Sequence, residues 1–209
     1  MPQVSIARPG ILQVVRKASL IKALFALLLS FVAMLPAQAL DIGGAHFDDR
    51  TSLAGSELQL NGAGIRTKLF FKVYAIGLYL PQKTEGADAV LASKGARRIQ
   101  IVTLRDLTAE QLTDAFIEAL NANHNEQEMS KLAARVERFR ATMLSIGKAA
   151  DKTVIRLDYL PASGTRLTVG SEQKGSDIAG EDFYLALLRI WLGNTPVQAD
   201  IKEKLSGKS

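Results

Sequence analysis

Between residues 57 and 104 the chain sets short apolar stretches between turn residues at strand-like spacing. In Glu57–Asn61, Leu58 and Leu60 alternate with polar neighbours, the two-residue period of a half-buried strand. Gly62-Ala63-Gly64 then interrupts the pattern. Lys68–Leu80 is nearly all apolar and rich in aromatic and β-branched residues, which predicts one strand covered on both faces and ended by Pro81. Ala87–Ala92 fits a short helix, and Arg97–Leu104 a third strand with Ile99 and Ile101 on one face.

The period then lengthens. Thr108 with Gln111 three residues later is a capping-box signature. After it, Leu112, Ala115, Phe116, Ala119 and Leu120 make one helical stripe. Met129, Leu132, Ala133, Val136, Phe139 and Met143 do the same for a helix over about residues 126–146. Lys152–Tyr159 and Arg166–Gly170 return to strand character, joined by the turn-forming segment Pro161-Ala-Ser-Gly164. Gly180 precedes an amphipathic helix with Phe183, Leu187, Leu188 and Trp191 on one side, stopped by Gly193, and Pro196 opens a last short helix. Strands, helices, a hairpin and helices again predict an α+β fold, an antiparallel sheet with helices packed on one face.

The N-terminal residues follow different rules. Arg8, Arg16, Lys17 and Lys22 lie among the first 22 residues with no acid. Ala23–Leu35 follows, thirteen residues of which only Ser30 is polar, then Pro36-Ala37-Gln38-Ala39. A basic start, a short apolar middle and an A-x-A site are the parts of a secretory signal peptide. A spanning helix needs about 20 apolar residues, so this run is short for an anchor. The expectation is a signal peptide over residues 1–39 and one domain over 40–209, frayed from Ser206, in the periplasm or secreted and with no stable membrane anchor after cleavage.

Removing that segment changes the charge. The chain has 26 Lys+Arg against 21 Asp+Glu, but four of the cations lie in residues 1–39, leaving 22 against 21. No long basic run addresses phosphates, and no nucleic-acid partner is expected. The chain has no cysteine, which removes thiol catalysis and Cys-based metal sites, and only two histidines, His46 and His124. No metal and no cofactor are expected. Two histidines without ligand spacing also argue against a Ser-His-Asp triad.

Candidate chemistry is sparse. Gly62-Ala63-Gly64 lacks the rest of a phosphate loop and reads as a tight turn or bulge. Trp191 shares helical spacing with other apolar residues and reads as core. The neighbouring acids Asp48-Asp49 and Glu181-Asp182 do not form acid/base couples, the second pair suiting a helix start. One stretch says more. Arg66, Lys68, Phe70, Lys72, Tyr74, Ile76 and Leu78 fall on alternate positions and share a face if the strand is unbroken. Cations and a phenol among apolar side chains suit a cleft that anchors a carboxylate or phenolate. Alternatively, the lysines reach solvent over buried stems and Arg66 pairs with an acid on a neighbouring strand.

Three blocks carry a family resemblance: Leu60-Asn-Gly-Ala-Gly-Ile-Arg66, Phe71-Lys-Val-Tyr-Ala-Ile-Gly-Leu-Tyr-Leu80, and Gly180–Gly193 with Pro196-Val197. In order and spacing they resemble the bacterial, exported branch of the chalcone isomerase-like family, from about residue 55 to 207. The resemblance implies an open-faced β-sandwich, a large antiparallel sheet backed by a layer of helices with a ligand cleft between. The plant enzymes of that family cyclise a chalcone, holding the anion with an Arg that matches Arg66. Their threonine in the next block falls on Tyr74, and the gap between the two blocks is a few residues shorter here. Their helical Tyr and Asn have no counterpart in residues 108–123, where Asn121 and Asn123 come too near the helix end. Their late-helix threonine falls on Ile190.

Fatty-acid- and haem-binding branches of the family keep the Arg as a ligand anchor, and the chain resembles these more. The resulting expectation is a non-catalytic protein with no catalytic residues, binding a small apolar acid, a fatty acid first and a tetrapyrrole second, through Arg66 with Lys72 and Tyr74. A lyase or isomerase acting on an unsaturated carbonyl through Arg66 and Tyr74 is the alternative. A purely structural or partner-binding protein is the third. Oligomeric state has no signature in the sequence.

The export reading predicts a mature N-terminus at Leu40 in protein recovered outside the cytoplasm. Intact-mass measurement checks this, and an uncleaved start in the membrane pellet would contradict it.

Overall fold

The computed structural model describes residues 39–208. The expected export signal lies outside these residues, apart from its last position, Ala39. The chain begins with three short strands, β1 (Ala39–Ile42), β2 (Ala45–Asp48) and β3 (Arg50–Leu53). Two long ones follow, β4 (Ser56–Lys68) and β5 (Phe71–Leu80), then helix α1 (Ala87–Ala92) and β6 (Arg97–Thr103). After β7 (Leu107–Thr108) come α2 (Ala109–Ala122), α3 (Glu126–Leu144) and β8 (Lys148–Ala149). The chain closes with β9 (Val154–Leu160), β10 (Gly164–Val169), β11 (Glu172–Ile178), α4 (Glu181–Leu192) and α5 (Ala199–Leu205).

Seven strands form one antiparallel sheet in the order β11-β10-β9-β6-β5-β4-β3. It is two meanders, β3 to β6 and β9 to β11, joined where α2 and α3 cross over its face. On β5 the even positions Ile76, Leu78 and Leu80 join the core under the helices. The odd positions Ala75 and Tyr79 join a smaller core on the opposite face, with Phe47 of β2. Both faces of β5 are thus covered, as its apolar run predicts. The expected α+β open-faced sandwich is the fold observed.

Three expectations change in detail. The run Lys68–Leu80 is not one strand: the chain turns at Leu69-Phe70, and Lys68 pairs with Phe71 across a hairpin. The turn was hidden because its residues are apolar, and Leu69 adopts a φ of 56°, a conformation commoner for glycine or asparagine. The helix after Gly180 is not one-sided. Tyr184, Ala186, Ile190 and Leu192 are buried along with the expected stripe, so α4 is the central helix of the layer. Gly193 stops it without a left-handed φ; a Cβ there would collide with the Asn123 side chain and the Arg189 carbonyl. The strands β1, β2, β3, β7, β8 and β11 add to the expected set.

Gly62-Ala63-Gly64 is neither a turn nor a phosphate cradle. It continues β4 past a bulge between Leu60 and Gly62, and α5 lies against it. A Cβ on Gly62 would collide with the Lys204 carbonyl oxygen, whereas one on Gly64 meets the mobile end of the Lys204 side chain at 3.3 Å. The motif is a docking groove for the C-terminal helix. Gly62→Ala is therefore expected to cost about 1–3 kcal/mol through overpacking. Gly64→Ala should cost clearly less. Thermal unfolding checks the order, at about 2–4 °C per kcal/mol for a domain of this size.

Candidate ligand cavity

The β4–β5 hairpin brings the first two candidate residues together. Arg66 and Tyr74 are directly opposed across the ladder, with a register shift just beyond, between Arg66 and Thr67. Opposed residues of an antiparallel pair share a face with Cβ atoms about 4.5–5.5 Å apart. The sequence pattern placed them together on an unbroken strand; a hairpin is what makes them neighbours.

Both line a cavity of about 370 Å³ between the sheet and helices α2 and α4. That volume lies in the usual range for small-molecule sites. Ile155, Leu157, Met143, Ile190 and Trp191 line it from the buried core, while the exposed Lys68, Gln111 and Glu118 mark its mouth. The half-buried positions of the α2 stripe, Leu112 and Phe116, form one wall. Their incomplete burial reflects the space they face. Phe116 packs edge-on against Trp191, ring centroids 5.8 Å apart.

Arg66 is held but not neutralised. Its Nη1 donates to the Thr67 carbonyl at 3.0 Å and to Gln198 Oε1 at 3.2 Å. The Gln198 amide also accepts from the Thr67 N–H at 2.9 Å and donates to the Ile65 carbonyl at 3.1 Å, clamping the end of β4. Among the described residues no carboxylate pairs with Arg66, so the strand-neighbour ion pair considered from spacing does not form. Its Nε and Nη2 keep donors for a ligand.

Tyr74 is set the opposite way. Its hydroxyl oxygen accepts from the Trp191 indole N–H at 3.0 Å. Burial pushes the phenol above its ordinary value, an effect the Trp191 hydrogen bond and the Arg66 charge only partly offset. The phenol is thus protonated at neutral pH, and with its oxygen already accepting, its proton remains to be donated. A fixed guanidinium beside a phenol donor, in the wall of a mostly apolar cavity, complements an anionic oxygen on an apolar body.

The third candidate, Lys72, pairs with Thr67, is exposed and is no part of the cavity wall; Lys68 lines it instead. Lys72 stands on β5 two residues nearer the tip than Tyr74, beyond the part of that strand, Val73 and Tyr74, that lines the cavity. Trp191, read from its spacing as core, is core and cavity wall at once. Gln198 was missed altogether, and its clamp joins positions more than 130 residues apart, which no local pattern reports. Asn123 is consumed by structure: it donates to the Ala119 and Thr195 carbonyls and accepts from the Thr195 N–H. Among the described residues no cluster of three or more His, Asp or Glu side chains is placed to hold a metal ion.

Residues 39–207 match the family model described as chalcone isomerase-like. Among solved structures, the chain is similar to the Arabidopsis thaliana fatty-acid binding protein, with a TM-score of 0.63 and 16% sequence identity, over 81% of this chain and 96% of that one. At that identity the likeness establishes the fold. No curated protein sequence matches the chain.

The buried phenols generate a pH prediction. Tyr74 is raised chiefly by burial, Tyr184 strongly so, and burial with the Asp48 charge pushes Tyr79 up to about 12. A phenol raised in the folded state contributes stability that is complete below its unfolded value of about 10 and lost as pH rises through the folded value. Stability should therefore fall as pH climbs from about 10 toward 12 and beyond. Absorbance of tyrosinate, followed beside circular dichroism, should show these phenols ionising only as the fold is lost.

Proposed function

The chain belongs to the chalcone isomerase-like family, and on that footing we propose that it is an exported, non-catalytic binding protein for a small apolar acid, in the first instance a fatty acid. The observation that carries this reading is the Arg66–Tyr74 pair in the wall of a mostly apolar cavity. A carboxylate would take the free donors of Arg66 and the Tyr74 proton, and the acyl chain would lie along Phe116, Met143 and Ile190. The fold shared with a plant fatty-acid binding protein supports the same ligand class.

Catalysis of chalcone cyclisation finds less support. The two positions that the resemblance assigns to catalytic threonines hold Tyr74, bonded to Trp191, and Ile190, which lines the cavity with hydrocarbon, and the helical Tyr and Asn have no counterpart. Losing several groups that act together costs far more than a single acid/base contribution of about 10²–10⁴-fold.

Mass spectrometry of molecules retained through native purification is expected to find fatty acids; a bound pigment would favour a tetrapyrrole instead. Arg66→Ala should weaken fatty-acid binding by roughly ten- to a hundred-fold, the worth of a charge-assisted hydrogen bond. The fold should survive, because Gln198 keeps its bonds to Thr67 and Ile65. Arg66→Lys should restore only part of the loss, since a point charge lacks the planar fork. Unchanged affinity with a sharply lower melting temperature would make Arg66 structural. Chalcone turnover above background that Arg66→Ala abolishes would replace the binding reading with an enzymatic one.

A further inference from the structure

The turn between β4 and β5 exposes three consecutive large apolar side chains. Leu69 is 83% exposed, Phe70 95% and Phe71 61%. None of the three lines the cavity. Neither local geometry nor solvent favours them. A tight hairpin turn is made most readily by glycine, asparagine or aspartate, yet Leu69 takes up a positive φ here. Folding alone would be served better by a polar turn, so the apolar tip calls for a partner outside the fold.

Its surroundings indicate which. Lys68 and Lys72 flank the tip in sequence, and the Arg105 guanidinium lies over the Phe71 ring at 5.6 Å. Arg105 is brought there by the loop after β6, tied to β5 where the Leu104 N–H donates to the Val73 carbonyl at 3.0 Å. Among the described residues none of these three cations pairs with a carboxylate. The nearest acid in the loop's sequence, Asp106, is engaged by Lys148 at 2.6 Å and by the Asp151 N–H at 2.9 Å. A projecting apolar wedge collared by three cations is complementary to anionic headgroups over hydrocarbon, with the lysine stems extending along the wedge. A two-residue turn offers too little area for a stable protein interface, which takes about 800 Å² per partner.

We propose that the β4–β5 tip docks into the surface of an anionic lipid bilayer. Among the described residues no helix is long and apolar enough to cross a membrane. Lys68 and Val73, at the root of the tip, line the cavity. Docking therefore brings the cavity toward the bilayer, where an amphiphile can enter with little exposure to water. The docking itself does not depend on what the cavity holds.

The test is flotation with phosphatidylglycerol-containing and pure phosphatidylcholine vesicles. It uses the chain as recovered after export, with the same N-terminus confirmed by intact mass in every variant. Wild type should float with the anionic vesicles. Leu69→Asn combined with Phe70→Ser should reduce that binding about ten-fold or more, and asparagine suits the positive φ at position 69. Lys72→Gln should weaken binding to anionic vesicles by about five-fold, the worth of one cation near such a surface, with little effect on neutral ones. Binding of a fluorescent fatty acid in vesicle-free solution should be unchanged in the tip double variant, which separates lost docking from a damaged fold or cavity. Wild type that does not float, or a double variant that floats equally well, would overturn the proposal. So would tip-dependent dimerisation in sedimentation without vesicle binding, which would make the tip a contact between copies.

Discussion

A fully buried guanidinium organises this fold. Arg97, at the start of β6, has no exposed surface. Leaving such a charge uncompensated would be very costly, and its neighbours are arranged accordingly. It donates to Glu181 at 2.7 Å and to the Ser93 carbonyl at 2.8 Å, and lies over the rings of Tyr159 and Tyr184. Its Nε has no partner, and the tyrosine ring faces offset part of that deficit. One cation thereby fastens α1, β9 and α4 to β6. Glu181 feels both sides of the arrangement: burial raises its carboxyl, and the Lys94 and Arg97 bonds outweigh this, so it stays ionised below its ordinary value. Gly180 gives α4 no side-chain cap, so acids bound at Glu181 and Asp182, the latter by Arg135, secure the helix start. Trp191 lies ten residues on, about 15 Å along the axis. Where that clamp sets α4, the indole meets Tyr74.

The cavity is thus the product of two long-range settings. The register of β4 against β5 puts Arg66 beside Tyr74, and a slip of one residue would turn one of them to the opposite face. The seating of α4 and α5 supplies Trp191 and Gln198, which hold that pair from the other side. Neither setting is local, and each constrains the other. The bulges on either side of Gly62–Arg66 let the strand bend under α5 while the ladder continues beyond them.

How much was legible in the sequence follows from these ranges. Helix α2 was readable at its start, because Thr108 with Gln111 forms the capping box the spacing implied, and α3 was readable from its apolar stripe. The Pro161–Gly164 turn was equally local and joins β9 to β10. β2 had a readable signal in the alternation of Ala45 and Phe47. β11 had none, since Glu172–Ile178 is mostly polar and exposed at a sheet edge. The hairpin at Leu69-Phe70 could not be found from composition, because its residues contradict turn chemistry. At the site, Arg66 and Tyr74 stood out as polar groups in an apolar context. That Lys72 lies off the cavity wall while Gln198 clamps the end of β4 depended on the reversal of the chain and on the placing of its last segment.

The chain contains a single tryptophan, and it is the one bonded to Tyr74 in the cavity wall. An indole in that position reads hydration and nearby polarity through the colour and yield of its emission. Its N–H is committed to Tyr74 and its ring to Phe116, so little besides the contents of the cavity is free to alter its surroundings. The protein carries a built-in optical gauge in its cavity wall, undiluted by other indoles and requiring no label.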